Sequence, residues 1–406
     1  MPMRILHVAP YFEDAWAYGG VPRVVGALAA GLARRGHQVT VATTDACDAH
    51  QRLTPGPDSN GSRRAVIRRR GAEIRIFPNV SNWLAYHLQF FVPLGLDRYL
   101  RVHAGGFDVA HLHACHNLPV ALASRRLLRA GVPYALAPHG TGPRSLERRQ
   151  LAKLAFDATV GRHVLSSASL LLAVSRAEGR QLQAIGAAPE RIGLIPNPID
   201  LGEFEPPVER GRFRPTLPRP DDQIVLFLGK LTAQKRLDVL ARAFARLRPA
   251  RTTLVVAGND MGYARMLRQL VTELGLKEVV VLPGLLEGRR RLEALADADV
   301  VVYATKGEIF GLVPLEAILC GTPVIVADDS GCGELIAEIG GGQIIAEGDI
   351  DALSEAIRYA LDHRDDGRAS TIDAGRQIRR RFGADAVCAR LEVLYERMAG
   401  REAGSP

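Results

Sequence analysis

The stretch Glu308-Ile-Phe-Gly-Leu-Val-Pro-Leu-Glu316 sets two carboxylates eight residues apart around a glycine and a proline. Along one continuous helix they would stand about 12 Å apart at 1.5 Å per residue. That separation suits neither a metal site nor an acid/base pair. It does suit an extended ligand with hydroxyls at both ends and negative charge in the middle. The run Asp297–Thr305 reads as a buried strand and Leu312–Gly321 as a helix, which leaves Lys306–Gly311 as a loop at a strand's carboxyl end. Pro314 falls in the first helical turn, where its missing N–H does no harm. Free amides near Phe310, Gly311 and Leu312 then offer a place for a diphosphate, and Gly311 lets the backbone approach closely. With one glutamate on sugar hydroxyls and the other on ribose hydroxyls, the ligand so described is a nucleotide-sugar.

Other stretches carry weaker signals. Gly229, Lys230 and Lys235 lie in LFLGKLTAQKRLD, between a strand and a helix. Two lysines there can neutralise a diphosphate without a metal, although exposed lysines at turns are common. Gly19 and Gly20 follow the first strand but do not make G-x-G-x-x-G, so the nicotinamide fingerprint is absent, as is a phosphate-binding G-x-x-x-x-G-K-[ST]. The glycine pair lets a loop lie close to a ligand or forms a plain tight turn. His139 ends the strand in LAPHGT and is read as catalytic or structural. In HLHACH, alternation puts His111, His113 and Cys115 on one strand face, too tightly for most zinc ligand sets. Asp297 and Asp299 mimic a metal-binding D-x-D, but their place between a helix end and a buried strand favours capping and solvent. No metal is assigned.

These groups must be positioned by a chain of 406 residues, 47% hydrophobic and 24% charged, long enough for two domains. No apolar run reaches the roughly 18 residues of a transmembrane helix, and the N-terminus has no signal-peptide pattern. Five scattered cysteines imply no disulfide framework, so the expected location is the cytoplasm. Residues 1–200 carry 24 Lys and Arg against 13 Asp and Glu, a net +11, while the remainder nets −3. The excess gathers at Arg63–Arg70 and Arg144–Lys153. Such patches suit an anionic membrane face, where the protein would sit peripherally, or are solvated arginines. Aromatics at 6% and the lack of a nucleic-acid module argue against nucleic acid.

Short Val/Leu/Ile-rich runs alternate with helical segments through residues 1–198, as in a parallel sheet covered on both faces. Seven prolines between 196 and 220 mark a linker, placed at 199–221. A second alternation fills 222–375, and residues 376–406 read as an amphipathic helix, Arg376–Met398, with a tail that packs back across the domains. Two doubly wound domains imply a cleft at the carboxyl ends of their strands.

Taken together, GGVPRVVGALAAGLARRGHQVTV, PHG, AVS, IPNPID, GKLTAQK and EIFGLVPLEAILCGTPVIVADDSGCGELI resemble the family-4 retaining glycosyltransferases of the GT-B fold, across nearly the whole chain. The resemblance implies an α/β fold of two Rossmann-like domains facing each other across a cleft, acceptor-binding first and donor-binding second. A C-terminal helix would return to the N-terminal domain. It further implies that Glu308 contacts the donor sugar, that Phe310, Gly311 and Leu312 meet sugar and diphosphate, and that Glu316 binds the ribose. Gly229, Lys230 and Lys235 would hold the diphosphate, His139 would lie near the transferred sugar, and Gly19 and Gly20 would close on the phosphates. Two departures stand out: family members usually have Arg at Lys230 and Gly at Arg236. The first keeps the charge and loses the bidentate fork; the second adds a phosphate or surface contact.

The implied activity is metal-independent transfer of a hexose, with retention, from a UDP- or GDP-sugar. The expected acceptor is a glycan, glycolipid or polyprenyl-linked molecule in cell-envelope polysaccharide synthesis. Rival readings are a nucleotide-sugar epimerase and a non-catalytic sugar-nucleotide-binding subunit. The acceptor is expected near Trp83, Tyr86, Phe90 and Phe91, whose rings line a groove or fill the core.

Overall fold

The protein's structure, a computed structural model, describes residues 1–53, 66–140, 161–329 and 331–401. It divides into one unit of residues 1–199 with 384–406 and a second of 200–383.

In the first unit the strands are β1 (Arg4–Val8), β2 (Gln38–Thr44), β3 (Val66–Arg69), β4 (Ala72–Phe77), β5 (Val109–His113), β6 (Tyr134–Ala137), β7 (Leu170–Ala173) and β8 (Ile192–Leu194). They form one sheet in the order β3-β4-β2-β1-β5-β6-β7-β8. All pairings are parallel except β3 with β4. The chain runs outward from β1 in one direction, then restarts at β5 on the other side, so the switch point lies between β1 and β5. Ile5, Leu6 and Val8 are fully buried, as both faces of a central parallel strand require. β3 is an arginine-bearing edge strand, a composition that discourages further pairing.

The C-terminal segment completes this unit. The expected single helix is instead two, Arg364–Phe382 and Ala384–Met398, with Gly383 between them. The first belongs to the second unit; the other packs on helix Val21–Arg34. A Cβ at Gly31 would lie 2.5 Å from the Cys388 sulfur, so the glycine sets how closely these helices approach. Arg34 donates to Asp385 at 3.0 Å and His37 meets Glu392 at 3.0 Å at the rim of the contact.

The second unit holds β9 (Gln223–Leu228), β10 (Thr252–Ala257), β11 (Val280–Gly284), β12 (Val300–Tyr303), β13 (Val324–Ala327) and β14 (Gly342–Ile345), all parallel, in the order β11-β10-β9-β12-β13-β14. Its switch point lies between β9 and β12. Residues 200–222 pack onto this unit, burying Phe204, Phe213 and Leu217. The carboxylate of Asp297 accepts backbone N–H bonds from Gly211, Phe213 (2.7 Å) and Arg214 (2.7 Å), and Asp299 accepts from Ile224 N at 2.8 Å. Both aspartates are at most 2% exposed. The solvent part of the reading of this pair is therefore corrected: Asp297 caps backbone amides that a proline-rich segment cannot pair with itself, and Asp299 holds the start of β9. No helix among the described residues is long and apolar enough to cross a membrane.

Candidate active site

The switch point of the second sheet brings together two loops far apart in sequence. After β9, Gly229 passes so close to Gly258, which follows β10, that a Cβ on Gly258 would overlap the Gly229 carbonyl. The turn then continues as Leu231 N bonds Asn259 O at 2.8 Å, and Lys235 closes a single 3-10 turn. After β12, Lys306 N donates to Gln234 O at 2.9 Å, which ties the second loop to the first.

Lys235, Tyr303 and Glu308 meet at this junction. The Lys235 ammonium donates to Glu308 Oε2 and to the Tyr303 hydroxyl (2.8 Å), and Tyr303 donates to Glu308 Oε2 at 3.1 Å. The ammonium also lies 4.7 Å from the centroid of the Tyr303 ring. Burial pulls Lys235 down, but Glu308 and Tyr303 outweigh it and hold the amine above its ordinary value. Burial likewise pushes Glu308 up, and the Lys235 charge, the two hydrogen bonds and Lys230 bring its carboxyl below the ordinary range. The pair is ionised.

Helix Leu312–Leu319 starts immediately beyond. Its N-cap, Gly311, has φ +77°, and an added Cβ there would lie 2.5 Å from the Cys332 sulfur. Glycine is therefore required both by conformation and by space. Phe310 turns inward, edge-on to Phe382 with ring centroids 5.8 Å apart. Gly307 N is held by Asp329 at 2.8 Å. Glu316 is 1% exposed on the first turns of the helix, and its Oε1 lies 3.5 Å from Arg291 Nη2. Arg291 also donates to Glu203. Arg236 has φ +49°, which explains why glycine is the usual residue at such a position, and its guanidinium pairs with Glu347 and, at 3.6 Å, Asp238.

The first unit places its own polar cluster at its own switch point. His7 on β1 is in register with His111 on β5, and His113 lies two residues further along the same face. His7 Nδ1 and His113 Nε2 are 2.9 Å apart, and His113 Nδ1 and His139 Nε2 are 3.0 Å apart. His111 Nδ1 meets the Tyr395 hydroxyl of the C-terminal helix at 2.7 Å. The three strand histidines bring ligand nitrogens within 4.8 Å of one another. Their rings, however, stack at tilts of 15° and 24°, whereas a metal needs lone pairs converging on one point about 2.0–2.1 Å away. Cys115 is absent from this face, contrary to strict alternation: Ala114 has φ +65°, and Cys115 turns into the apolar cluster with Ala110 and Leu112.

His139 itself has φ +51° and precedes Gly140 at φ +77°. Glu178, in helix Arg176–Ala184, holds this strained turn by accepting from Gly140 N at 2.7 Å and Val174 N at 2.8 Å. Burial pushes His139 down to about 4, with the Asn197 side chain partly opposing it, and His7 to about 3; both are neutral. Gly19, at φ +91°, ends a 3-10 turn, and Gly20 caps helix Val21–Arg34.

Residues 18–203 match the family model described as Glycosyltransferase Family 4, and residues 209–378 that described as Glycosyl transferases group 1. A D-inositol 3-phosphate glycosyltransferase of Acidothermus cellulolyticus is 30% identical over 85% of this chain and 78% of its own length. The chain belongs to the family-4 glycosyltransferases. One from Xylanimonas cellulosilytica, of the same description, is 33% identical over 59% of each chain, so that alignment spans less than two thirds of the relative. The crystal structure of Anabaena HepE in complex with UDP and glucose has the same fold, with a TM-score of 0.74 at 19% identity, covering 96% of this chain and 98% of that one.

In this GT-B glycosyltransferase Lys230, Lys235 and Glu308 lie together in the second unit, Gly229 follows β9, Phe310, Gly311 and Leu312 lead into helix Leu312–Leu319, and Glu316 lies against Arg291. His139, Gly19 and Gly20 belong to the first unit and follow strands of its sheet. Sequence reasoning missed Tyr303, Arg291, Glu178 and Asn197. Tyr303 was legible as a polar-tipped residue closing a buried strand. Arg291 was hidden in Arg289–Arg291, a run that looks like a solvated face. Of the basic stretch Arg63–Arg70, Arg69 is paired with Glu13 (2.9 Å) and Asp14 (2.8 Å), and Arg63 and Arg64 lie outside the described residues. Arg144–Lys153 lies wholly outside them.

Proposed function

We propose that this glycosyltransferase moves a hexose from a nucleoside-diphosphate sugar, with retention and without a metal ion, to a glycan, glycolipid or polyprenyl-linked acceptor in cell-envelope polysaccharide synthesis. The observation that carries the donor reading is the Lys235–Tyr303–Glu308 cluster beside the N-terminus of helix Leu312–Leu319. Lys235 and Lys230 neutralise the diphosphate, and the amides of Phe310 to Leu312 add donors where charge builds as the sugar leaves. Glu308 is engaged by a cation and a phenol, an arrangement that favours binding sugar hydroxyls over attack as a nucleophile. A donor phosphate oxygen takes the acceptor's proton. Glu316 binds the ribose and His139 the transferred sugar, while Gly19 and Gly20 approach the phosphates. Of UDP and GDP, the HepE complex favours UDP.

Thermal stabilisation by a panel of nucleoside diphosphates and their sugars, without added metal, tests this. At 100 times Kd a bound donor raises stability by about 2.7 kcal/mol. The shift should appear with one base and fall sharply in Glu316→Gln, which keeps the buried shape. No shift with any member would remove the donor site.

For the acceptor, Val80, Trp83, Leu88, Phe90 and Leu94 are exposed, whereas Tyr86 and Phe91 pack with Tyr11 and Tyr18 in the core. No Asp, Glu, Lys or Arg occurs from 78 to 96. An apolar surface of this kind supports a lipid-linked acceptor at the inner face of the cytoplasmic membrane. Anionic liposomes should then bind the protein, more weakly in Trp83→Ser/Phe90→Ser, and with a salt dependence set by the basic stretches. Equal sedimentation of both proteins would favour a second acceptor class. The relatives named D-inositol 3-phosphate glycosyltransferases support that class, a phosphorylated cyclitol.

A further inference from the structure

We propose that His113 is a positioning residue: through the chain His7–His113–His139 it fixes which nitrogen of His139 carries the hydrogen, so that His139 Nδ1–H donates to an oxygen of the bound sugar. This rests on the reading of His139 as a sugar contact. The three rings are joined Nδ1 to Nε2 twice in succession, at 2.9 and 3.0 Å, and His113 and His139 stack within 8° of parallel. A neutral imidazole has one N–H, so each ring that donates through one nitrogen must accept through the other. The chain therefore has two proton orders only, and both of its ends change together.

In the first order His7 donates to His113 and His113 to His139, leaving an N–H at His139 Nδ1 and a bare lone pair at His7 Nε2. The second order reverses every hydrogen, leaving an N–H at His7 Nε2 and a lone pair at His139 Nδ1. His7 Nε2 and His139 Nδ1 are both buried atoms that meet no hydrogen-bonding group among the described residues. An orphaned buried N–H is rarer in proteins than an under-satisfied acceptor; His7 is wholly buried while His139 is only partly so, and the first order puts the N–H at the end that a ligand oxygen can reach. Asn197 Oδ1 is likewise buried without a partner among the described residues, and the Asn197 side chain favours a proton on the His139 ring. A sugar hydroxyl or ring oxygen accepts from His139 Nδ1–H and completes the chain. His139 is then a neutral hydrogen-bond donor, not the base of the reaction, and the strained backbone at φ +51° aims it.

The test is the tautomer itself, read by long-range 1H–15N correlation on protein labelled with 15N-histidine. With a nucleoside-diphosphate sugar bound, the wild type should show His139 as the Nδ1–H form, a measurement that needs no variant to fold. His113→Asp puts an acceptor opposite His139 Nε2; it should convert His139 to Nε2–H or to imidazolium and cut kcat/KM about 100-fold. His113→Asn places an amide N–H where Nδ1 stood and should recover most of what His113→Asp loses. An Nε2–H form in the wild type, or full activity in His113→Asp with the tautomer switched, overturns the proposal. So does stoichiometric Zn2+ uptake abolished by His7→Ala, which would make the cluster a metal site. Normal activity of His139→Ala, with the wild-type tautomer as expected, would instead overturn the sugar contact on which the proposal rests.

Discussion

Lys235→Ala should lower turnover by about 10³-fold, or ~4 kcal/mol of transition-state stabilisation, while the protein stays folded. The side chain is the ammonium at the centre of the switch-point cluster, held by Glu308 and Tyr303 before any ligand arrives. Preorganisation of this kind is what makes a charge effective in catalysis, because no solvent or side chain has to rearrange as the diphosphate departs. Removing it leaves Lys230 and the helix amides, so residual activity above background is expected. Glu308 lies below 4.5 and Lys235 above 10.5, so the pair is ionised across the intervening range. The sign follows from the two directions. The depressed carboxyl gives its stability above 4.5 and loses it as pH falls further; the raised amine gives its stability below 10.5 and loses it as pH rises further. The deficit in Lys235→Ala should therefore be the same at about pH 6 and about pH 8. Near-normal steady-state turnover in the variant would remove Lys235 from the site.

Arg291→Met should destabilise the protein by about 3–5 kcal/mol, a fall in Tm on the order of 10 °C. Arg291 is 3% exposed and stands between Glu203 and Glu316, and Glu316 is 1% exposed. Taking away the cation leaves a buried carboxylate without that neutralising charge, and the cost is the desolvation that Arg291 had offset. The double variant Arg291→Met/Glu316→Gln should regain much of the loss, since a neutral amide needs no counter-charge. Thermal unfolding of the single and double variants decides it; an unchanged Tm in Arg291→Met would mean that Glu316 does not depend on Arg291. The same geometry makes Glu316→Gln the sound variant for ligand binding, because Glu316→Ala would open a cavity beside a buried guanidinium.

Local sequence was enough for the elements. Continuous Val/Leu/Ile runs of four to six residues between amphipathic segments can be satisfied only by strands buried on both faces. Gly311 and Pro314 likewise announced a tight entry into a helix after a strand, because each has a conformational requirement that is written into one residue. Lys235 and Glu308 were each legible as residues following a strand, though 73 positions separate them.

What the chain alone could not reveal depends on strand order and on partners distant in sequence. That β9 lies beside β12 is a property of the sheet, and it alone turns Lys235, Tyr303 and Glu308 into one charged cluster. The pairing of β1 with β5 does the same for His7 and His113, 106 residues apart, while the left-handed turn at Ala114 removes Cys115 from their face. Gly383 interrupts what periodicity reads as one helix, sending its halves to different units. Burial decided the rest: Arg291 and Asp297 look like surface charges in the sequence, and only packing reveals them as the buried partners of Glu316 and of the linker's amides. The sequence by itself determined which segments are strands and helices and which residue types stand at their ends, because those follow from local sterics and hydrophobic period. The tertiary structure decided which of those ends meet, and hence which charges are paired, because that depends on contacts between segments that no local pattern encodes.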